Sequence, residues 1–191
     1  MNSEQALEKY IAEYDSDTWE EHSDGYQWLL EECGEKLLPA LLKCTKHPKP
    51  EVRAAAASLL ATRRPHTPEM IEAIAPLIND PEPLVRIKTI ECLKQFGDLA
   101  LSLQDQLYEI VQQEKAQKDQ VPRILAMGAL LHIDRETWED ELMPELTKAA
   151  TAQTGKLADF VAVCCLLELH GIEMPTAEDE AAERGEEESD S

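Results

Sequence analysis

The sequence predicts an all-α fold, a short right-handed α–α solenoid of about four helix pairs with N-terminal capping helices. Three observations predict it. A proline-bearing stretch recurs after 33 positions, as Pro48-Lys49-Pro50-Glu51-Val52-Arg53 and then Pro81-Glu82-Pro83-Leu84-Val85-Arg86. A fixed period of that size marks stacked two-helix units. The apolar residues on either side of each stretch fall at helical spacing. The acidity is concentrated at the two ends of the chain, which leaves an ordinary globular surface between them. The expected organisation is an acidic N-terminal helical cap over 1–34, a repeat array over 35–171 and an acidic disordered tail over 172–191.

The N-terminal residues 1–36 hold eleven acids and two bases. Leu7, Tyr10, Ile11, Tyr14, Trp19, Tyr26, Trp28, Leu29 and Leu30 lie here, outside the clear repeats. They would supply one or two helices folding over an end of the array, because solenoid termini need covering. In the first unit, Leu37, Leu38, Leu41 and Leu42 form one stripe of an amphipathic outer helix. Proline cannot continue that helix but is well placed to open the next. The second unit repeats the pattern with Ile71, Ile74, Leu77 and Ile78. In its inner helix Thr89, Cys92 and Leu93 match Ala56, Leu59 and Leu60 of the first.

The third unit is weaker. Arg123 follows Arg86 by 37 positions, and Ala126, Met127 and Leu130 then match Thr89, Ile90 and Leu93. The fourth runs from about Glu136 to Leu169. Trp138, Leu142 and Leu146 face inward, with Glu139, Asp140, Glu141 and Glu145 facing away. Its turn uses Gly155 in place of proline, and Asp159 stands where the arginine would be, so a structural partner is expected for Asp159. Residues 178–191 carry eight acids against Arg184 and no large apolar side chain, too little burial to offset the entropy of ordering.

Leu-Ile-Asn-Asp-Pro-Glu-Pro-Leu-Val-Arg (77–86) resembles the turn of a HEAT repeat, as does His-Pro-Lys-Pro-Glu-Val-Arg (47–53). The resemblance spans roughly residues 35–170. Asp80, Val85 and Arg86 fit the family pattern, whereas His47 stands where the aspartate of the first copy would be. The resemblance implies an armadillo-like α-solenoid used as an interaction scaffold. It also implies a structural ladder between neighbouring repeats, carried here by Arg53, Asp80, Arg86 and Arg123.

A helical wheel of the second inner helix turns Val85, Thr89, Cys92 and Phe96 toward the core. Ile87, Lys88, Glu91, Lys94 and Gln95 are then left on the far side. The same positions are Ala54, Ala55, Ser58, Ala61 and Thr62 in the first unit and Ile124, Leu125, Gly128, Leu131 and His132 in the third. In the fourth they are Phe160, Val161, Cys164, Leu167 and Glu168. The last two inner helices are thus apolar nearly all round, and such a helix must be covered on every side. Neighbouring repeats together with the N-terminal segment, a second copy of the chain or an amphipathic helix of another protein would cover them. The candidate partner-binding residues are Ile87, Lys88, Glu91, Lys94, Ile124, Leu131, His132, Phe160 and Leu167.

Catalytic and metal-binding patterns are sparse. The seven glycines are scattered, with no phosphate-cradling loop. Cys44-x-x-His47 is the one spacing that would set two metal ligands on a helical face, and it has no second half. Cys164 and Cys165 are adjacent in an apolar helix and read as core. His132 and His170 end inner helices, where a cation suits the helix dipole. No cofactor and no metal are expected, and the chain reads as a non-enzyme. The formal charge of −21 disfavours nucleic-acid backbones and anionic membranes. No apolar run approaches bilayer length. Five cysteines in mostly apolar surroundings, and a start without a signal peptide, suggest reduced thiols in the cytoplasm.

The leading expectation is a protein-interaction module that binds an unidentified protein partner or forms a homodimer. Two other readings compete with it. One is an acidic inhibitor that imitates a phosphate backbone toward a basic nucleic-acid-binding protein, and the other is an enzyme on a HEAT-like scaffold, using His132 or Glu168.

Overall fold

A computed structural model of the chain describes residues 5, 6, 9, 29, 31–113, 120–152 and 154–172. Most of the expected N-terminal cap, and the tail beyond residue 172, lie outside the described residues. Within them the chain is helical, without strands. Helix α1 (Leu37–Cys44) leads to α2 (Pro50–Thr62), and α3 (Pro68–Ile74) runs on as a 3-10 segment, Ala75–Asn79, before α4 (Pro83–Leu93). A second 3-10 segment, Lys94–Leu103, precedes α5 (Gln104–Gln113), which is followed by α6 (Val121–Ile133), α7 (Arg135–Ala150) and α8 (Leu157–Leu169).

Proline punctuates this order. Pro50, Pro68 and Pro83 each open a helix, where a missing N–H loses no bond and the fixed φ is already helical. Pro76 sits where α3 tightens into its 3-10 continuation. Gly97 adopts φ 53°, ψ −132° and breaks the second 3-10 segment in two, a backbone region that penalises any side chain.

The even-numbered helices form one layer, α2 against α4, α4 against α6 and α6 against α8. Helices α1, α5 and α7 pack on α2, α6 and α8 respectively, and the 3-10 continuation of α3 packs on α4. Leu37, Leu41, Leu60, Ile74, Ile78, Leu93, Leu107, Leu130 and Leu146 belong to a single buried cluster that runs the length of the array. On the outer side, Trp138 of α7 donates its indole N–H to Gln104 of α5 at 3.1 Å. Its ring lies 4.8 Å from that of Tyr108.

The turns are built from one plan. Arg53 donates to the carbonyls of His47 and Pro48 at 2.8 and 3.0 Å. Arg86 donates to those of Asp80 and Pro81 at the same two distances. Asp80 Oδ1 accepts the Glu82 backbone N–H at 3.0 Å, and His47 Nδ1 accepts that of Lys49 at 3.2 Å. An imidazole nitrogen therefore does the turn-closing work of the missing aspartate.

Among the described residues the rung between units is made once in this form. Arg53 grips both oxygens of Asp80 at 2.8 Å, with both side chains largely buried. The guanidinium holds the Asp80 carboxyl below the usual carboxylate range. Arg123 instead donates to the Val111 carbonyl at 3.1 Å and pairs with Glu145 on α7. Much of the third turn, residues 114–119, lies outside the described residues. Asp159 accepts from the backbone and hydroxyl of Thr154 at 2.6 and 2.7 Å, so it closes the glycine turn of the fourth unit.

Candidate functional site

The accessible side of the even-numbered layer, around α4, α6 and α8, holds most of the residues singled out from sequence. Ile90, Glu91, Lys94, Leu125, His132 and Leu169 line a shallow cleft there, with Gly128 and Cys165 at its floor. Its two walls meet where Lys94 Nζ reaches the Glu168 carboxylate at 2.5 and 2.6 Å. The pair joins residues 74 positions apart. Partly exposed as it is, it contributes at most about 1 kcal/mol. Lys88 pairs with Glu91 one turn along α4 at 3.1 Å. Lys88, Glu91 and Lys94 are therefore ion-paired within the chain, and a partner would have to displace those pairs to use their charge.

Two candidates move to the core. Ile124 is 2% exposed and Leu131 1% exposed, so neither is available to a partner. The reason is the position of α6, which is packed against α4, α5, α7 and α8 at once. A helix with neighbours on so many sides is apolar all round without needing a foreign cover. His132, by contrast, stays exposed in the last turn of α6, and Ile87 is half-buried on α4.

Helix α8 differs. Ala162 and Cys165 are buried against the array, whereas Leu157, Phe160 and Val163 are 67%, 57% and 37% exposed. Leu167 and Cys164 are half-buried, so Cys164 is not the core residue that its surroundings in sequence suggest. After α8 the chain turns in a Schellman motif, with Ile172 N–H bonded to the Leu167 carbonyl and Gly171 N–H to that of Glu168. Gly171 takes the left-handed φ of 67° that the motif needs. A helical wheel centred on the matching positions of earlier units does not pick out Leu157 and Val163. The signal that finds them is the packed side of α8, fixed by Ala162 and Cys165.

None of the five cysteines is in a disulfide. Burial pushes the thiols of Cys92 and Cys165 up to about 11, and raises that of Cys164. Iodoacetamide at pH 8 should therefore alkylate Cys164 first and slowly, with the other four protected until the chain unfolds. Peptide mass mapping over time checks this. Rapid labelling of Cys92 or Cys165 would contradict their burial. Among the described residues no group of His, Cys, Asp and Glu is placed to hold a metal ion, and no helix is long and apolar enough to cross a membrane.

Residues 38–130 match a family model described as HEAT repeats. No curated protein matches the chain.

Proposed function

Because the repeats over 38–130 place this chain in the HEAT-repeat family, whose members generally serve as interaction scaffolds, we propose that it is a non-catalytic protein-interaction module of the cytoplasm. In this reading the array is a right-handed solenoid of four helix pairs, and a segment of a partner protein lies along the even-numbered layer. One observation carries the proposal: the layer ends in α8 with Leu157, Phe160 and Val163 still open to solvent. Contiguous exposed apolar surface of this kind marks interaction sites. The cleft beside it, lined by His132 and Leu125 among others, would extend the contact, with His132 on its polar rim.

Site-specific photo-crosslinking in cells tests the assignment. A photoreactive side chain placed at Lys88, His132 or Phe160 should yield discrete protein adducts. The same side chain at Glu139, on the opposite side of the array, should yield none. Equal adducts from both sides, or none from either, would remove the proposal.

A further inference from the structure

We propose that α8 is a latched terminal helix that undocks from the array as a unit, with the Lys94–Glu168 pair as its latch. The inference concerns a motion built into the fold and stands whether or not a partner binds. Helices of the inner layer are held chiefly by the apolar area they bury. Helices α2, α4 and α6 bury seven, five and nine residues, whereas α8 buries only Ala162 and Cys165, both small. Its packing neighbours are α6 and α7, and among the described residues no further helix pair stacks on it. Sparse burial of this kind puts an element at the low end of local stability.

The latch sits at the C-terminal end of α8. Lys94 Nζ reaches both oxygens of Glu168 at 2.5 and 2.6 Å, while Arg135 reaches the Leu169 carbonyl at 3.4 Å, a weak bond at that length. In a free helix Glu168 is misplaced, because a carboxylate in the last turn opposes the helix dipole. That turn has no basic residue to offset it. Docking supplies the missing cation from 74 positions away, so the pair stabilises the docked helix and not the free one. At the other end Gly155, with φ 69°, turns the chain into α8, and Asp159 bonds Thr154 within that same turn. Those bonds are local and do not tie α8 to the array. A free helix of 13 residues is marginal in water, so undocking and melting are one event. It parts Cys165 from Gly128 and opens the cleft. A partner that draws on Lys94 or Glu168 loosens α8 by the factor the latch supplies, which turns a contact in the cleft into release of a helix.

Hydrogen–deuterium exchange of the full chain, read by mass spectrometry, tests this. In the wild type, both halves of α8 should exchange at least about tenfold faster than α6, as a sub-global opening requires. Lys94→Gln leaves the sequence of α8 untouched. It should speed both halves by a further factor of about five, the most that a partly exposed pair supplies. Exchanging the two charges, Lys94→Glu with Glu168→Lys, should restore the wild-type rate. An α8 that exchanges as slowly as α6 would overturn the inference, since the helix would then open only with the whole array. So would a Lys94→Gln chain in which α8 is unchanged or only its last turn speeds up, because the pair would then restrain fraying at most. Failure of the exchanged pair to restore the rate would remove the latch.

Discussion

Asp80→Ala should lower the unfolding free energy by about 3 kcal/mol, the scale of breaking a largely buried ion pair from one side. The carboxylate accepts two hydrogen bonds from Arg53 on α2 and one from the Glu82 backbone. Its removal leaves the guanidinium without its buried counter-charge and opens the second turn. Asp80→Asn keeps the backbone acceptor, so it should lose less. The effect depends on pH with a definite sign. The folded state holds the Asp80 carboxyl below its ordinary value, first through the Arg53 hydrogen bonds. Its contribution is therefore complete above about pH 4, the ordinary carboxylate range, and is lost as pH falls through the lowered native value. Urea unfolding of wild type and Asp80→Ala at a series of pH values checks both points. A gap that fails to narrow toward acid would mean that the pair is not formed in solution.

The turn chemistry behind this result was legible in the sequence, residue by residue. The 33-residue offset carried Arg53 onto Arg86, and both arginines bond the two carbonyls that open their turns at matching distances. The proline positions located the starts of α2 and α4. His47 looked like a departure from the pattern. It closes its turn as Asp80 does, and counting back 33 from Arg53 reaches Glu20 rather than an arginine.

What stayed hidden depends on neighbours distant in sequence. A helical wheel gives the apolar girth of α6 and α8 alike. It does not say that α6 has packed helices around it, which buries Ile124 and Leu131, while α8 is left open on one side. The Lys94–Glu168 pair bridges 74 positions. Nothing in the local pattern of either residue announces it.

Gly128→Val should destabilise the chain by about 3 kcal/mol, the upper end of what overpacking costs. Gly128 sits in the middle of α6, a position where glycine by itself is worse than alanine by about 1 kcal/mol. Its presence there is explained by the next helix. A Cβ on residue 128 would stand 2.8 Å from Cys165 Sγ and 3.2 Å from Cys165 Cβ, closer than carbon and sulfur tolerate. The missing side chain lets α8 approach α6, and that approach brings Glu168 within reach of Lys94, just past the end of α4. Two opposed terms therefore act on Gly128→Ala, helix propensity in favour and the Cys165 contact against. Cys165→Ala removes the sulfur and should release the favourable term. The double variant should then exceed the sum of the singles by about 1 kcal/mol, a coupling typical of residues in direct contact. Thermal or urea unfolding of the four proteins measures it. Strict additivity, or a Gly128→Val chain as stable as wild type, would mean that α8 does not rest on α6 at this point.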